Sequence, residues 1–590
     1  MTTRPTLRGT FGMTSSTHWL ASQAAMAELE AGGNAFDAAV AGAFVLHVVE
    51  PHLNGPGGEV PAVFATADDP TPVVLCGQGT APAGATLGHY RSLGLDLVPG
   101  SGPLAAAIPG AVDAWLMLGR DHGTRPLRDV LSYATGYARH GHPLLPRAAA
   151  TVATMEQMFT EHWPTSAAQW LPHGRLPRAW ELVTNPAYAD VLDRLVAAGE
   201  ASGPDRERQY DAARDAWREG FVAEAVDAFA RRPFQDSSGE AHAGVISGAD
   251  LAAWSPTYEP AATQSFRGFE VAKTGLWGQG PVLLQSLAML DRLPDEAVDP
   301  ATVEGAHVTA EVLKLAFADR EAWYGDGADV AVAELLDPAY VEQRLALVGD
   351  TASAELRPGS PGGRIPRLAQ HVLHGSSAQE AAGLGEPTVA RTGETRGDTC
   401  HIDVVDRWGN IISATPSGGW LQSSPTVPEL GFCLGSRMQM FWLDDDLPSS
   451  LAPGRRPRTT LSPTLVLRDG APVYAVGTPG GDQQDQWQLV FLLRLLAGGQ
   501  ELQQAIDAPM FHTNSLPSSF YPREMTPNEL VVEDRLGDDV IDALAGRGHL
   551  ITRAGPWTLG RLCGVSRDAE TGLLGAGANP RANQGYACGR

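Results

Sequence analysis

Gly397-Asp398-Thr399-Cys400-His401-Ile402-Asp403-Val404-Val405-Asp406-Arg407-Trp408-Gly409-Asn410-Ile411-Ile412-Ser413-Ala414-Thr415 is the stretch on which the fold turns. Two short runs rich in β-branched residues flank Gly409-Asn410, a pattern that predicts a β-hairpin. A period of two places Thr399, His401, Asp403 and Val405 on one face and Cys400, Ile402 and Val404 on the other. Just upstream, residues 350–398 are dominated by Gly, Ser, Pro, Ala and Arg with little periodicity, which predicts a flexible linker. A break between Asp398 and Thr399 would free a new N-terminus without tearing a strand from the core.

That break has chemical value. A threonine hydroxyl is a poor nucleophile until something removes its proton. A freed α-amine, with a pKa of about 8, is partly unprotonated at neutral pH and sits beside its own hydroxyl. One residue then supplies nucleophile and base. Amide cleavage also needs donors for the oxygen that becomes negative, and Gly477-Thr478-Pro479-Gly480-Gly481 offers them ahead of a helix expected from about Gln484 to Leu496. By itself a Pro-Gly-Gly turn is common, and its weight comes from the rest of the pattern.

Working outward, residues 22–49 show helical spacing broken at Gly32-Gly33-Asn34, so two helices are expected. Glu50-Pro51 ends the second. His52-Leu53-Asn54-Gly55-Pro56-Gly57-Gly58 is too glycine-rich for regular structure and leads into a strand near Pro61–Ala65. Residues 127–234 read as mainly helical. A strand is expected at Phe269–Val271, a helix over His307–Trp323, and a second hairpin from Leu465–Leu467 through Asp469-Gly470 to Val473–Val476.

Composition excludes several classes. The 590 residues are 43% apolar and 19% charged, with 66 Gly and 44 Pro, as in a turn-rich globular enzyme. A formal charge of -25, spread along the chain, disfavours nucleic acid as a partner. No run of 18 apolar residues and no secretory leader is evident, so a cytoplasmic protein without a membrane partner is expected. Five cysteines without CxxC spacing are read as reduced thiols. No cofactor or metal is implied. His140-Gly141-His142 has no acidic or thiol partner at ligand spacing and is read as an ordinary loop.

The segment Gly397–Asp406 with Gly409-Asn410 resembles the nucleophile segment of γ-glutamyltranspeptidases, and the similarity runs through nearly the whole chain. Gly-Gly-Asn-Ala-Phe-Asp-Ala-Ala-Val-Ala and Val-Val-Glu-Pro-His within residues 21–58 resemble that family's N-terminal block. Residues 243–251 and 310–326 resemble its middle, and Ser462-Pro463-Thr464 with Gly477–Gly481 its small subunit. The resemblance implies an α+β, four-layer αββα N-terminal-nucleophile hydrolase sandwich. One precursor would be cut into a large subunit, 1–398, and a small catalytic subunit, 399–590, together forming one unit. It further implies Thr399 as nucleophile, Gly480 and Gly481 as oxyanion donors, Ser417 as the hydroxyl that orients the nucleophile, and Thr459 and Thr460 near the substrate carboxylate.

The glutamate grip departs from the family's pattern. Gln78 stands where an arginine holds the glutamyl α-carboxylate, Gly419 where an asparagine follows the second hydroxyl, Met440 where an acid holds the α-ammonium, and Arg437 where a glutamine stands. A neutral amide cannot replace a bidentate guanidinium. Arg437 has two readings: it binds a carboxylate on the acyl part of the substrate, or it pairs with a nearby acid such as Asp444. The expected activity is thus hydrolysis of a small-molecule amide by an acylase-like member of the family without glutamyl specificity. The alternatives are a true γ-glutamyl transferase or glutathione hydrolase, and a catalytically silent binding protein of the same fold.

Overall fold

The computed structural model describes residues 2–374, 399–581 and 585–590. Two seven-stranded sheets lie at its centre. The first runs Tyr586–Gly589, Gly12–Ser16, Ile402–Asp406, Ile411–Ala414, Val60–Ala65, Val73–Gly77, Thr257–Pro260. The second runs Leu7–Gly9, Leu574–Ala578, Cys563–Arg567, Ala471–Gly477, Thr464–Arg468, Phe269–Lys273, Ala262–Phe266. Met13, Val63 and Val405 of one meet Leu465, Ala475 and Val565 of the other in a single apolar cluster, so the sheets are stacked. Helices Trp19–Glu30, Ala35–Val49 and Ala111–His122 share a core with the outer face of the first sheet, and Pro281–Leu290, Val303–Trp323 and Gln484–Leu492 with that of the second. The architecture is the αββα sandwich that the sequence implies.

The expected hairpin forms, with Ile402 opposite Ala414 and Val405 opposite Ile411. Its alternation is the expected one: Cys400, Ile402 and Val404 join the helix-side core, whereas Val405 joins the layer between the sheets. A slip of one residue would exchange these faces. Helix Ala35–Val49 lies directly behind this strand, buried along its whole length. Asn34 and Asp37 form its capping box. Gly42 lets it approach closely, because a Cβ there would come within 2.5 Å of Ile402 Cδ1.

Segments before and after Thr399 are interleaved in both sheets. Gly12–Ser16 pairs with Ile402–Asp406, Val60–Ala65 with Ile411–Ala414, and Phe269–Lys273 with Thr464–Arg468. A break before Thr399 would therefore leave two pieces that share one core.

Some boundaries differ from expectation. The middle helix begins at Val303, where the Thr302 side chain caps Gly305 N. The helix after the second hairpin is α-helical to Leu492 and widens into a π turn over Leu493–Ala497. Residues 351–374, expected to be mobile, are docked: Lys314 Nζ donates to Ser353 O at 2.8 Å, Trp323 Nε1 to Gly359 O at 3.0 Å, and Gly359 N to Asp319 Oδ1 at 2.7 Å. Side chains from a buried helix hold this backbone, which a search for apolar periodicity cannot detect. The rest of the linker, including Asp398, lies outside the described residues. No described helix is long and apolar enough to cross a membrane.

Candidate active site

Thr399 is buried at the start of its strand and forms an antiparallel bridge with Ser417. Its Oγ1 donates to Ser417 Oγ at 3.2 Å and accepts from Gln484 Nε2 at 3.5 Å. His401 is engaged elsewhere, with Nε2 2.9 Å from Asp403 Oδ1 and Nδ1 3.0 Å from Thr415 Oγ1. Burial pushes the Asp403 carboxyl up, and the His401 ring opposes that shift. Gly477 leaves room for this ring, since a Cβ there would stand 2.2 Å from His401 Cε1. Cys400 faces the helices and donates to Glu50 Oε2 at 3.0 Å. Burial and the neighbouring carboxylate push its thiol well above the usual range, which makes it a poor nucleophile.

The turn after strand Ala471–Gly477 is shaped by its glycines. Gly480 has φ 135° and Gly481 φ 51°, and a Cβ on Gly480 would lie 2.3 Å from the Trp487 ring. The turn runs through Gly481–Gln483 into helix Gln484–Leu492, so its N–H groups share the positive end of that helix. Gln279 Nε2 fixes the Gly481 carbonyl at 3.2 Å.

Gln484 is a site residue that sequence reading missed. Ser462 N donates to Gln484 Oε1 at 3.0 Å, which leaves the NH2 group to face Thr399. Ser462 Oγ in turn donates to Asp485 Oδ1 at 2.6 Å, and Asp485 pairs with the buried Lys273 at 3.1 Å. The available signal was position: Gln484 opens the helix that follows the glycine turn.

The glycine-rich loop of residues 52–58 lies flat against the segments that carry Ser417 and Gly419. A Cβ on Gly55, Gly57 or Gly58 would meet Gly419 O at 2.3 Å, Cys433 O at 2.1 Å or Ser417 O at 2.0 Å. Glu59 N donates to Ser417 O at 2.8 Å, and Ser417 N to Glu59 O at 3.0 Å. The Glu59 carboxylate meets Arg437, whose Nε donates at 2.6 Å and whose Nη2 also contacts it. Arg437 is thus paired with an acid, but the acid is Glu59 and not Asp444, which accepts from Gln370 N at 3.2 Å. The guanidinium also lies 5.5 Å from the Trp420 ring and 3.6 Å from Met440 Sδ. Trp420, Met440 and Phe520 form a small apolar cluster beside it.

Thr459 N donates to Trp277 O at 3.0 Å, and Thr459 O accepts from Gln279 N at 3.0 Å, so this residue lies one step from the Gly481 turn. Thr460 Oγ1 is buried and has no hydrogen-bond partner among the described residues. Gln78 donates to Gly79 O at 3.1 Å, and no hydrogen bond among the described residues joins it to the other site residues. The structure therefore links Thr399, Ser417 and Gln484 directly, connects Arg437, Met440 and the loop carrying Gly419 through Glu59, and leaves Gln78 apart.

A family model described as Gamma-glutamyltranspeptidase matches residues 21–589. The chain is 30% identical over 595 residues to the oxamate amidohydrolase proenzyme of Klebsiella pneumoniae, covering 97% of this chain and 98% of that protein. Among solved structures it superposes on LmbA2991HD with a TM-score of 0.93 at 58% identity, over 100% of both chains. It superposes on the cephalosporin acylase of Bacillus halodurans with a TM-score of 0.83 at 26% identity, over 100% of this chain and 97% of the other.

Proposed function

The chain belongs to the gamma-glutamyltranspeptidase family, within the N-terminal-nucleophile hydrolases, and from that premise we propose that it is an acylase-type amidohydrolase whose nucleophile is Thr399, freed by self-cleavage after Asp398. The observation that carries the reading is the setting of the Thr399 hydroxyl, held between Ser417 and Gln484 at the head of the helix that follows Gly480 and Gly481.

In this reading the free α-amine of Thr399 takes the hydroxyl proton as Oγ1 attacks the amide carbonyl carbon. The carbonyl oxygen becomes negative and is met by the N–H groups of Gly480 and Gly481. Collapse breaks the C–N bond, and the proton leaves with the departing amine. Water then attacks the Thr399 ester, giving up a proton to the α-amine of Thr399, which passes it to Oγ1 as the ester bond breaks and the acid is released.

The pocket walls support an acyl group other than glutamyl. Arg437 is neutralised by Glu59 and Met440 offers no charge, while Gln78, turned onto its neighbour's carbonyl, stands apart from both. A buried α-carboxylate or α-ammonium without a partner would be strongly penalised. The names of the cephalosporin acylase and the oxamate amidohydrolase point in the same direction. Intact mass measurement of the purified protein should find a fragment beginning Thr-Cys-His-Ile, and a single uncut chain would overturn the reading. Acyl anilides, with glutaryl, simple acyl and γ-glutamyl forms compared, should show γ-glutamyl turned over least well.

A further inference from the structure

The carbonyls of Pro479, Gly480 and Gly481 are each tied down by a different donor. Pro479 O accepts from Thr478 Oγ1 at 2.8 Å, Gly480 O from Gln483 N at 2.8 Å, and Gly481 O from Gln279 Nε2 at 3.2 Å. These peptides are trans, so each N–H points opposite to the carbonyl of the residue before it. Fixing the three oxygens therefore aims the N–H groups of Gly480, Gly481 and Asp482. Glycines at φ 135° and 51° do not hold such a form by themselves, and the turn depends on its anchors.

Two of the anchors are local, but the third arrives from far away. Gln279 stands between strand Phe269–Lys273 and helix Pro281–Leu290, 202 residues from Gly481 and on the other side of Thr399. Its backbone N donates to Thr459 O at 3.0 Å. Arg320 sets its side-chain amide: Nη1 donates to Gln279 Oε1 at 3.0 Å, which leaves Nε2 to face Gly481 O. The same Nη1 meets the carboxylate of Asp482, the next residue of the turn. Asp482 also accepts from Ser519 N at 2.7 Å and from Ser519 Oγ at 2.6 Å. Arg320 itself is fully buried on helix Val303–Trp323, where Nη2 donates to Glu321 Oε1 at 2.7 Å and to Pro517 O at 2.8 Å. One guanidinium thus grips two consecutive residues of the turn, one directly and one through Gln279. Buried ion pairs add little stability over apolar packing, so the geometry that this arginine fixes explains it better than the energy it adds.

We propose that Gln279 and Arg320 are positioning residues of the reaction, which hold the Gly480-Gly481-Asp482 turn in the form that presents its N–H groups to the developing oxyanion. Both lie upstream of Thr399, so after self-cleavage the oxyanion turn of one piece is braced by the other. The proposal rests on the amide-hydrolase reading, and phenylboronic acid makes it measurable without turnover. Thr399 Oγ1 adds to the boron, its proton passes to the α-amine, and the tetrahedral boronate carries the negative charge of the intermediate. Benzoate is the planar counterpart. Gln279→Met keeps the volume and loses the amide, whereas Arg320→Lys keeps a charge beside Asp482 and loses the fork. In the processed enzyme each should lower kcat for anilide hydrolysis about tenfold with KM within about twofold. Each should weaken phenylboronic acid about tenfold and leave benzoate inhibition unchanged. Circular dichroism and thermal midpoint check folding, and either variant that folds decides. A kcat within about threefold of the parent, or boronic acid and benzoate weakened alike, would overturn the proposal. Loss of folding in both variants would overturn it too, since the pair would then hold the core and not the turn. Should the parent hydrolyse no anilide yet bind phenylboronic acid, and the variants weaken that binding, the activity reading fails and the bracing of the turn stands. A parent that neither hydrolyses anilides nor binds the boronic acid would sink both.

Discussion

Gln484 Nε2 lies 3.5 Å from Thr399 Oγ1, and the orientation of its amide is set by Ser462 N, which donates to Oε1 at 3.0 Å. This pairs the candidate nucleophile with the helix that opens beyond the glycine turn. Gln484→Ala should lower kcat about tenfold, equivalent to roughly 1.4 kcal/mol, with KM little changed. Gln484→Glu should not restore it, because a carboxylate has no proton to donate to Oγ1. Steady-state kinetics separates the two constants, and unaltered kcat in the alanine variant would remove Gln484 from the site.

Gly480→Ala should be far more damaging. At φ 135° a side chain is strained, and its Cβ would stand 2.3 Å from the Trp487 ring. The turn must shift, and its N–H groups with it. Loss of one oxyanion donor corresponds to about 10²–10³ in kcat. A kcat within a factor of three of the parent would argue against this turn as the oxyanion site.

The Glu59–Arg437 pair offers a test of structure against recognition. Removing one partner of a buried pair leaves an uncompensated charge, so Glu59→Leu or Arg437→Met alone should cost about 3–5 kcal/mol of stability, and the double substitution much less than the sum. Denaturant unfolding measures each corner of that cycle. A single Arg437 substitution that instead raises KM for acidic acyl amides alone, with stability intact, would return Arg437 to the substrate.

Burial holds His512 down at about 3, against 6.5 for a free imidazole. Between those values the unfolded chain binds a proton that the folded one refuses. Its contribution to stability is therefore fully present above the unfolded value and lost as pH falls, by about 1.4 kcal/mol per unit. His512→Phe has no such proton, so its unfolding free energy should drop less steeply between about pH 6 and 4 by that amount per unit. Parallel slopes for the two proteins would mean that His512 is protonated in the fold.

Much of the catalytic frame was legible in residues close together in the chain. Alternation around Thr399 assigned Cys400 and Val405 to opposite faces, and the structure places them in separate cores. Gly480 and Gly481 stood out as side-chain-free N–H donors ahead of a helix, and the structure gives both a positive φ. The docking of residues 351–374 was not legible, since it depends on Lys314, Asp319 and Trp323 and not on the segment's own composition.

By itself, the sequence marked out the nucleophile candidate, the hairpin that presents it and the glycine turn, because each is written in local spacing, and the family resemblance marked Gln78, Gly419, Arg437 and Met440 as departures from the glutamyl pattern. Tertiary structure alone decided which acid neutralises Arg437, which amide faces Thr399 and which polar groups are shut in without partners. Glu59 and Arg437 are 378 residues apart in the chain, and only the pairing of strands from both halves brings them within 2.6 Å. A charge in a sequence shows what a residue can bind, and burial among particular neighbours decides what it does bind.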